Sequence, residues 1–275
     1  MSGAKRGGPI GFFLLLLATG FFFLGPVLWE AITSITPDAE LIAVRLFPRD
    51  PTLAHYRAIF TGHPFFRIIL NSLAVAAMTT LFSLGIGGLA AFALARLDFK
   101  GKRFLLGAAL GVSMFPPVAI VSPLYLIVRA LGLRDTWWAL VITHTAFSLP
   151  LSLWILTRFF EEIPAELYRA AQIDGCTPLQ AFTKVLLPLA APGLSAVAIL
   201  VFLFSWGEFL FALTFTTTEA SRTIPVGIAL FPGLHEIPYG DMAAASIVVT
   251  LPVILLVLFF QRRIVEGLTA GAVKG

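Results

Sequence analysis

The sequence predicts an all-α, polytopic membrane protein with six transmembrane helices, and three observations lead there. Apolar residues fill 58% of the 275 positions and charged residues only 12%, with a mean hydropathy of +0.93. A soluble chain of this length needs far more charge to cover its surface. The apolar residues gather into runs long enough to cross about 30 Å of hydrocarbon as helices. Between two of these runs lies one long amphipathic segment, residues 159–188, dense in signals that end one helix and start another.

The first run covers residues 11–35. It continues past Phe21 to Trp29 with no small-residue cleavage pattern, so it reads as a retained span rather than a signal peptide. A polar loop follows over 36–67, carrying Pro37, Pro48 and Pro51, and its piece PTLAHYRAIF (51–60) reads as a short amphipathic loop helix. The second span, 68–97, holds Gly85, Gly87 and Gly88, small residues that let helix backbones approach closely in lipid. Asn71 at its mouth reads first as a cap or interhelix hydrogen-bonding group, and otherwise as a substrate contact. Arg96, Lys100, Lys102 and Arg103 then crowd one short loop, a strong positive-inside signal.

The third span, 104–128, has Gly107 and Gly111 at GxxxG spacing and the pair Pro116-Pro117, which leaves carbonyls to be satisfied by neighbours. The fourth, 136–158, opens on the interfacial anchors Trp137 and Trp138 and contains His144. A lone histidine in a span must be paired, so packing or hydrogen bonding competes there with substrate contact. The fifth span, 189–215, contains Trp206 and Glu208; an acid in an apolar helix faces the bundle interior or a wet cavity. Either Glu208 and Trp206 meet a polar substrate or Glu208 makes a structural hydrogen bond across the bundle. An outer loop, 216–241, a sixth span, 242–261, and a tail, 262–275, complete the chain.

Six spans put both ends on one side. With the termini inside, twelve of the 19 Lys and Arg fall inside and seven outside, which places both termini and the 159–188 loop in the cytoplasm. In domain terms, residues 1–66 are the first span and outer loop, 67–263 the membrane core, and 264–275 the cytoplasmic tail.

Within the 159–188 segment, Pro164 suits the first position of a helix, with Glu161, Glu162 and Glu166 near its positive end. Leu167, Ala170, Ala171 and Asp174 share one face. Gly175 supplies a left-handed residue to close the helix. Thr177-Pro178-Leu179-Gln180 reads as a capping box opening a second helix, and Pro188 and Pro192 interrupt the pattern beyond it.

The order Arg169-Ala170-Ala171, Gln172-Ile173, Asp174-Gly175 and then Leu187-Pro188 resembles the cytoplasmic coupling loop, the EAA loop, of binding-protein-dependent ABC importer permeases. The leading Glu of that motif is Arg169 here. Residues 51–60 resemble a loop helix of the sugar-importer permeases. Ser205 to Leu213 resembles their WNEF-type segment, with Gly207 in place of Asn, and the tail EGLTAGAVKG resembles that of the smaller permease of the maltose-type subfamily.

The resemblance implies a type I ABC importer permease fold and a permease subunit of an ATP-driven importer of a sugar, a di- or oligosaccharide or related carbohydrate. It implies that Glu166, Arg169, Ala170, Ala171, Asp174, Gly175 and Pro188 serve coupling to a cytoplasmic ATPase dimer. Arg169 then meets a carboxylate on that ATPase or folds back on Glu166. Trp206, Glu208, His144 and Asn71 are the candidates for the substrate path. The implied partners are a second permease subunit, the ATPase, an extracytoplasmic substrate-binding protein and membrane lipid. ATP and Mg are expected on the ATPase, with no cofactor on this chain, and the location is the cell membrane.

Other chemistry finds little support. Gly101-Lys102 is followed by Arg103, with Arg96 where a phosphate-binding loop needs Gly. No G-x-S-x-G motif occurs, so neither a catalytic set nor a metal set is expected. Cys176, the sole cysteine, excludes an intrachain disulfide and stands as a small residue after the turn. With basic residues at most paired in sequence, nucleic acid is not an expected partner. The competing function is an ion-coupled secondary carrier using Glu208 and His144; an intramembrane enzyme is the third.

Overall fold

The computed structural model describes residues 9–41, 45–62, 64–231 and 237–269. All regular structure among them is helical. The order is α1 (Pro9–Thr33), α2 (Asp38–Leu41), α3 (Ala54–Thr61), α4 (Phe65–Arg96), α5 (Lys102–Ser113), α6 (Pro117–Ala130) and α7 (Trp137–Glu162). Then come α8 (Ala165–Ile173), α9 (Pro178–Ala181), a π-helical turn (Phe182–Leu186), α10 (Leu187–Leu189), α11 (Ala191–Gly207), α12 (Leu210–Phe215), α13 (Ile224–Ala229) and α14 (Tyr239–Thr269). Two compact units can be separated. One is the chain up to Phe65 with Ile228–Leu251; the other is Phe66–Gly227 with the chain from Pro252.

Four helices are long and apolar enough to cross a membrane: Gly11–Thr33, Phe65–Arg96, Trp137–Glu162 and Tyr239–Gln261. The expected third span is bent in its middle, and the expected fifth span meets the coupling segment at a bend. α5 and α6 meet at 95°, and Pro178–Leu189 meets α11 at 81°, so six spans are counted only when each bent pair is one span. The first bend follows from Pro116-Pro117. Pro117 takes the first position of α6, and Pro116 is held extended at ψ 128°, because the residue before a proline is kept out of the helical region. At the second bend, a continuous helix would drive the ring of Pro192 into the carbonyl of residue 188. The chain turns at Ala190 instead and restarts with Pro192 in the first turn of α11. The expected fifth span also breaks at Glu208, which is extended at ψ 129°.

In the larger unit the core forms two clusters. One gathers Ala91, Phe92, Leu156, Phe160, Tyr168, Phe182, Leu186 and Val197 near the Arg96 end of α4. The other gathers Val75, Leu140, Val141, Phe211, Phe215 and Val226. Gly87 does sit at a close approach, since a Cβ there would lie 3.2 Å from that of Ser152. Around the GxxxG pair Gly107 and Gly111, no atom outside the local helix lies within 4 Å. In the smaller unit α3 lies where a loop helix is expected, starting at Ala54 instead of Pro51. α14 continues as helix to Thr269, past the expected end of the sixth span at residue 261. The end of the tail motif, residues 270–275, lies outside the described residues.

Candidate functional site

The 159–188 segment is built from its prolines outward. Ile163 precedes Pro164 and is extended, with ψ 131°, so α7 has to stop there. Pro164, expected at the first helical position, caps the next helix instead, and α8 begins at Ala165. Gly175, at φ +85°, ends it. Cys176 N donates to Ala171 O at 2.9 Å and Gly175 N to Gln172 O at 3.1 Å. These two bonds form a Schellman closure that only a left-handed residue allows. Thr177 and Gln180 then form the expected reciprocal cap: Gln180 N donates to Thr177 Oγ1 at 3.3 Å, and Thr177 N to Gln180 Oε1 at 2.9 Å. The π-helical turn that follows was not legible in the sequence.

The amphipathic face of α8 differs from expectation. Tyr168 and Ala171 are buried, whereas Leu167, Ala170 and Asp174 are exposed. The large ring of Tyr168 fixes the seat: its edge meets Phe92 at 5.8 Å, and Phe92 in turn packs on Phe182 at 5.1 Å. Ala171, one turn on, follows it inward. The outward face is therefore Glu166, Arg169, Ala170 and Ile173, spaced i, i+3, i+4 and i+7, and Ile173 is 87% exposed. Among the described residues no ion pair involves Arg169, so the fold-back onto Glu166 is not made. Pro188 lies in α10, beside the 81° bend.

His144 and Glu208 are brought together inside the bundle. His144 Nε2 lies 3.2 Å from Glu208 Oε2, and Nδ1 lies 2.8 Å from Ser205 Oγ. The Glu208 carboxylate also accepts from the backbone N–H groups of Phe211 and Ala212, at 2.8 and 3.1 Å. It thereby caps α12 at the break where orphan N–H groups would otherwise be buried. Glu208 thus makes a structural hydrogen bond across the bundle. Trp206, 7% exposed, stacks on Phe202 at 5.5 Å. Asn71 stands apart from these three. It donates to the carbonyls of Glu219 and Arg222 at 3.1 and 2.9 Å, tying α4 to the loop before α13.

Sequence reasoning missed three polar fixtures. Arg96 donates to the carbonyl of Phe160 at 2.5 Å and to that of Ile163; read as a topology signal, it is also a cap for α7. Asp135, at φ +61°, accepts from Thr217 N, Thr218 N and Thr218 Oγ1 at 2.7, 3.0 and 2.7 Å, and from Ser221 Oγ. Burial alone pushes its carboxyl up, but the bonds from Ser221, Thr217 and Thr218 outweigh that and hold it below the usual carboxylate range. In the smaller unit, buried His55 places Nδ1 2.7 Å from Asp241 Oδ1 and Nε2 3.0 Å from Thr36 O.

Long apolar helices, two of the spans broken, with one amphipathic helix left bare on its outer face, are the features of a polytopic membrane protein with a candidate docking surface. The family of binding-protein-dependent transport system inner membrane components matches residues 83–269, and the chain belongs to it. It is a transport subunit and not an enzyme. It is 49% identical over 261 residues to the trehalose transport system permease protein SugB of Mycobacterium tuberculosis (strain CDC 1551 / Oshkosh), covering 94% of this chain and 95% of that one. It is 42% identical over 255 residues to the trehalose/maltose transport system permease protein MalG of Thermococcus litoralis, covering 92% of each. In fold it is similar to a chain of a bacterial ABC transporter involved in the import of the acidic polysaccharide alginate. The TM-score is 0.79 at 22% identity, over 95% of this chain and 99% of that one. The family sets the ion-coupled carrier aside.

Proposed function

We propose that this chain is one of two permease subunits of an ATP-driven importer for a disaccharide-sized sugar, coupled to a cytoplasmic ATPase through α8. The observation that carries the reading is the division of α8. Tyr168 and Ala171 seat the helix on the membrane core, while Arg169, Ala170 and Ile173 stand bare on the opposite side. A helix held by one face, with Ala170 and Ile173 bare between charged residues on the other, fits the helix-in-groove mode of recognition. Docking Ile173 removes a large apolar side chain from water, worth roughly 1.5–3 kcal/mol.

Glu166 shares that face, Asp174 follows at the end of the helix and Pro188 lies farther along the chain in α10; ATP and Mg belong to the ATPase. A second permease and an extracytoplasmic binding protein complete the assembly in the lipid bilayer. Relatives at 49% and 42% identity carry trehalose and trehalose/maltose in their names, which makes trehalose the first substrate to try. With Glu208, His144 and Asn71 engaged inside the chain, their share of the sugar site is indirect: they hold the broken fifth span and the outer loop in place.

The test is uptake into proteoliposomes holding this chain, its second permease and its ATPase, with the binding protein outside and ATP inside. Labelled trehalose, maltose and diacetylchitobiose are offered in turn. ATP-dependent uptake of at least one, indifferent to a proton uncoupler, is the expected result. Uptake that needs a proton gradient and no ATP overturns the reading.

A further inference from the structure

α4 contributes nothing covalent to the 159–188 segment, yet its last residue reaches the root of α8. The guanidinium of Arg96 donates through Nη2 to the carbonyls of Phe160 and Ile163. These belong to the last turn of α7, where helix carbonyls have no partners of their own and where a cation meets the negative end of the helix dipole. The Ile163 carbonyl is part of the peptide bond to Pro164, the point at which α7 gives way to α8. Glu161 and Glu166 lie within electrostatic range of the same guanidinium. Its Nε is buried without a partner, so the side chain is held for its reach to the two carbonyls and not for its own full satisfaction. Beside it, Phe92 of α4 carries the ring of Tyr168 from α8.

We propose that Arg96 is a positioning residue for energy coupling: by holding the Phe160 and Ile163 carbonyls at the root of α8, it makes α4 move with the coupling helix as one body. The inference rests on the reading of α8 as the helix that docks the ATPase. Without Arg96, α8 keeps its chain connections and the apolar contact of Tyr168 on Phe92, which fixes no carbonyl at its root. A push on α8 is then partly taken up by rotation at Pro164, and α4 follows it less closely. Both bonds leave one nitrogen, Nη2, of a rigid planar group; a lysine ends in a more strongly hydrated ammonium on a flexible stem and holds the two carbonyls less well.

The experiment places spin labels on the assembled complex at Leu97→Cys, the residue after α4, and Gln172→Cys, on α8, in a Cys176→Ala background. The label-to-label distance is measured without nucleotide and with Mg-ATP and vanadate. With Arg96 present, one narrow distance that is the same in both states is expected. Arg96→Gln should give a distribution at least twice as broad that shifts with nucleotide, and Arg96→Lys an intermediate width. A distance that moves with nucleotide when Arg96 is present, or a narrow and fixed one in Arg96→Gln, overturns the proposal. If Arg96→Gln does not assemble, Arg96→Lys decides: intermediate width supports the proposal, and unchanged width overturns it. The docking reading is checked separately with Ile173→Asp, which should cut co-purifying ATPase at least tenfold. Undiminished ATPase in that variant removes the docking reading itself.

Discussion

His55 places both ring nitrogens against acceptors, the Asp241 carboxylate and the Thr36 carbonyl, an arrangement only the doubly protonated ring satisfies. Gly240 lets the ring in, since a Cβ there would fall 2.3 Å from the ring. Burial pushes the His55 pKa down, but the bonds to Asp241 and Thr36 and the nearby Asp38 carboxylate prevail and raise it above its ordinary value. A group whose pKa is raised on folding contributes stability that is fully present below the unfolded value and lost as pH rises through the folded one. The melting temperature of the purified complex is therefore expected to fall as pH climbs from about 6.5 into the alkaline range. His55→Asn should flatten that slope, and an unchanged slope in the variant would assign it to other groups. Nothing in the sequence pointed to this clasp, because its members lie 186 positions apart. Glu208 and His144 were legible as intramembrane polar groups that needed partners. That each is the other's partner depends on the break at Glu208, which apolar periodicity alone does not reveal.

Among the elements, the coupling segment was the most legible, because its turn chemistry is local. Gly175, the reciprocal Thr177–Gln180 cap and the proline stop at Ile163 each follow from a few adjacent residues. The face shared by Leu167, Ala170, Ala171 and Asp174 is split in the structure, Ala171 buried and the other three exposed, because Tyr168 packs on Phe92 and turns its own side of the helix inward. The Gly175 turn gives a prediction with two arms. A Cβ there would meet no atom within 4 Å, so the only cost is left-handed backbone, about 1–2 kcal/mol for an ordinary L-residue. Asn tolerates that region and Val does not. Gly175→Val should lose at least tenfold in uptake while still inserting, and Gly175→Asn should retain most of it; equal loss in both would take the turn's conformation out of the mechanism. Arg169 gives the second prediction. Without an ion pair among the described residues and beside the bare Ala170 and Ile173, it favours an ATPase groove that offers a carboxylate. Like charges across a tight contact cost several kcal/mol. Arg169→Glu, assayed with its own ATPase, should lose coupling without losing membrane insertion. Unchanged or improved uptake would leave docking to shape alone.

At the scale of the whole molecule, the count of spans and the side on which α8 lies are one question. Composition revealed the apolar runs, but not that two of them bend by 95° and 81°, since a proline marks where a helix can break and neighbouring helices settle how far. If each bent pair completes one span, both ends of the chain share a side. The clusters Arg96, Lys100, Lys102, Arg103 and Arg158, Arg169, Lys184 then lie with them, leaving seven of the 19 basic residues opposite. Short basic loops stay on the cytoplasmic side, so on that count α8 is expected there. If instead either pair only dips into the membrane and returns, the parity changes and α8 and the later loops cannot all keep these sides. Single cysteines in the Cys176→Ala background decide it. Thr61→Cys, on exposed α3, should react with a membrane-impermeant maleimide in intact cells. Gln172→Cys should react only after the membrane is opened, and labelling of Gln172→Cys from outside would overturn both the orientation and the coupling role of α8.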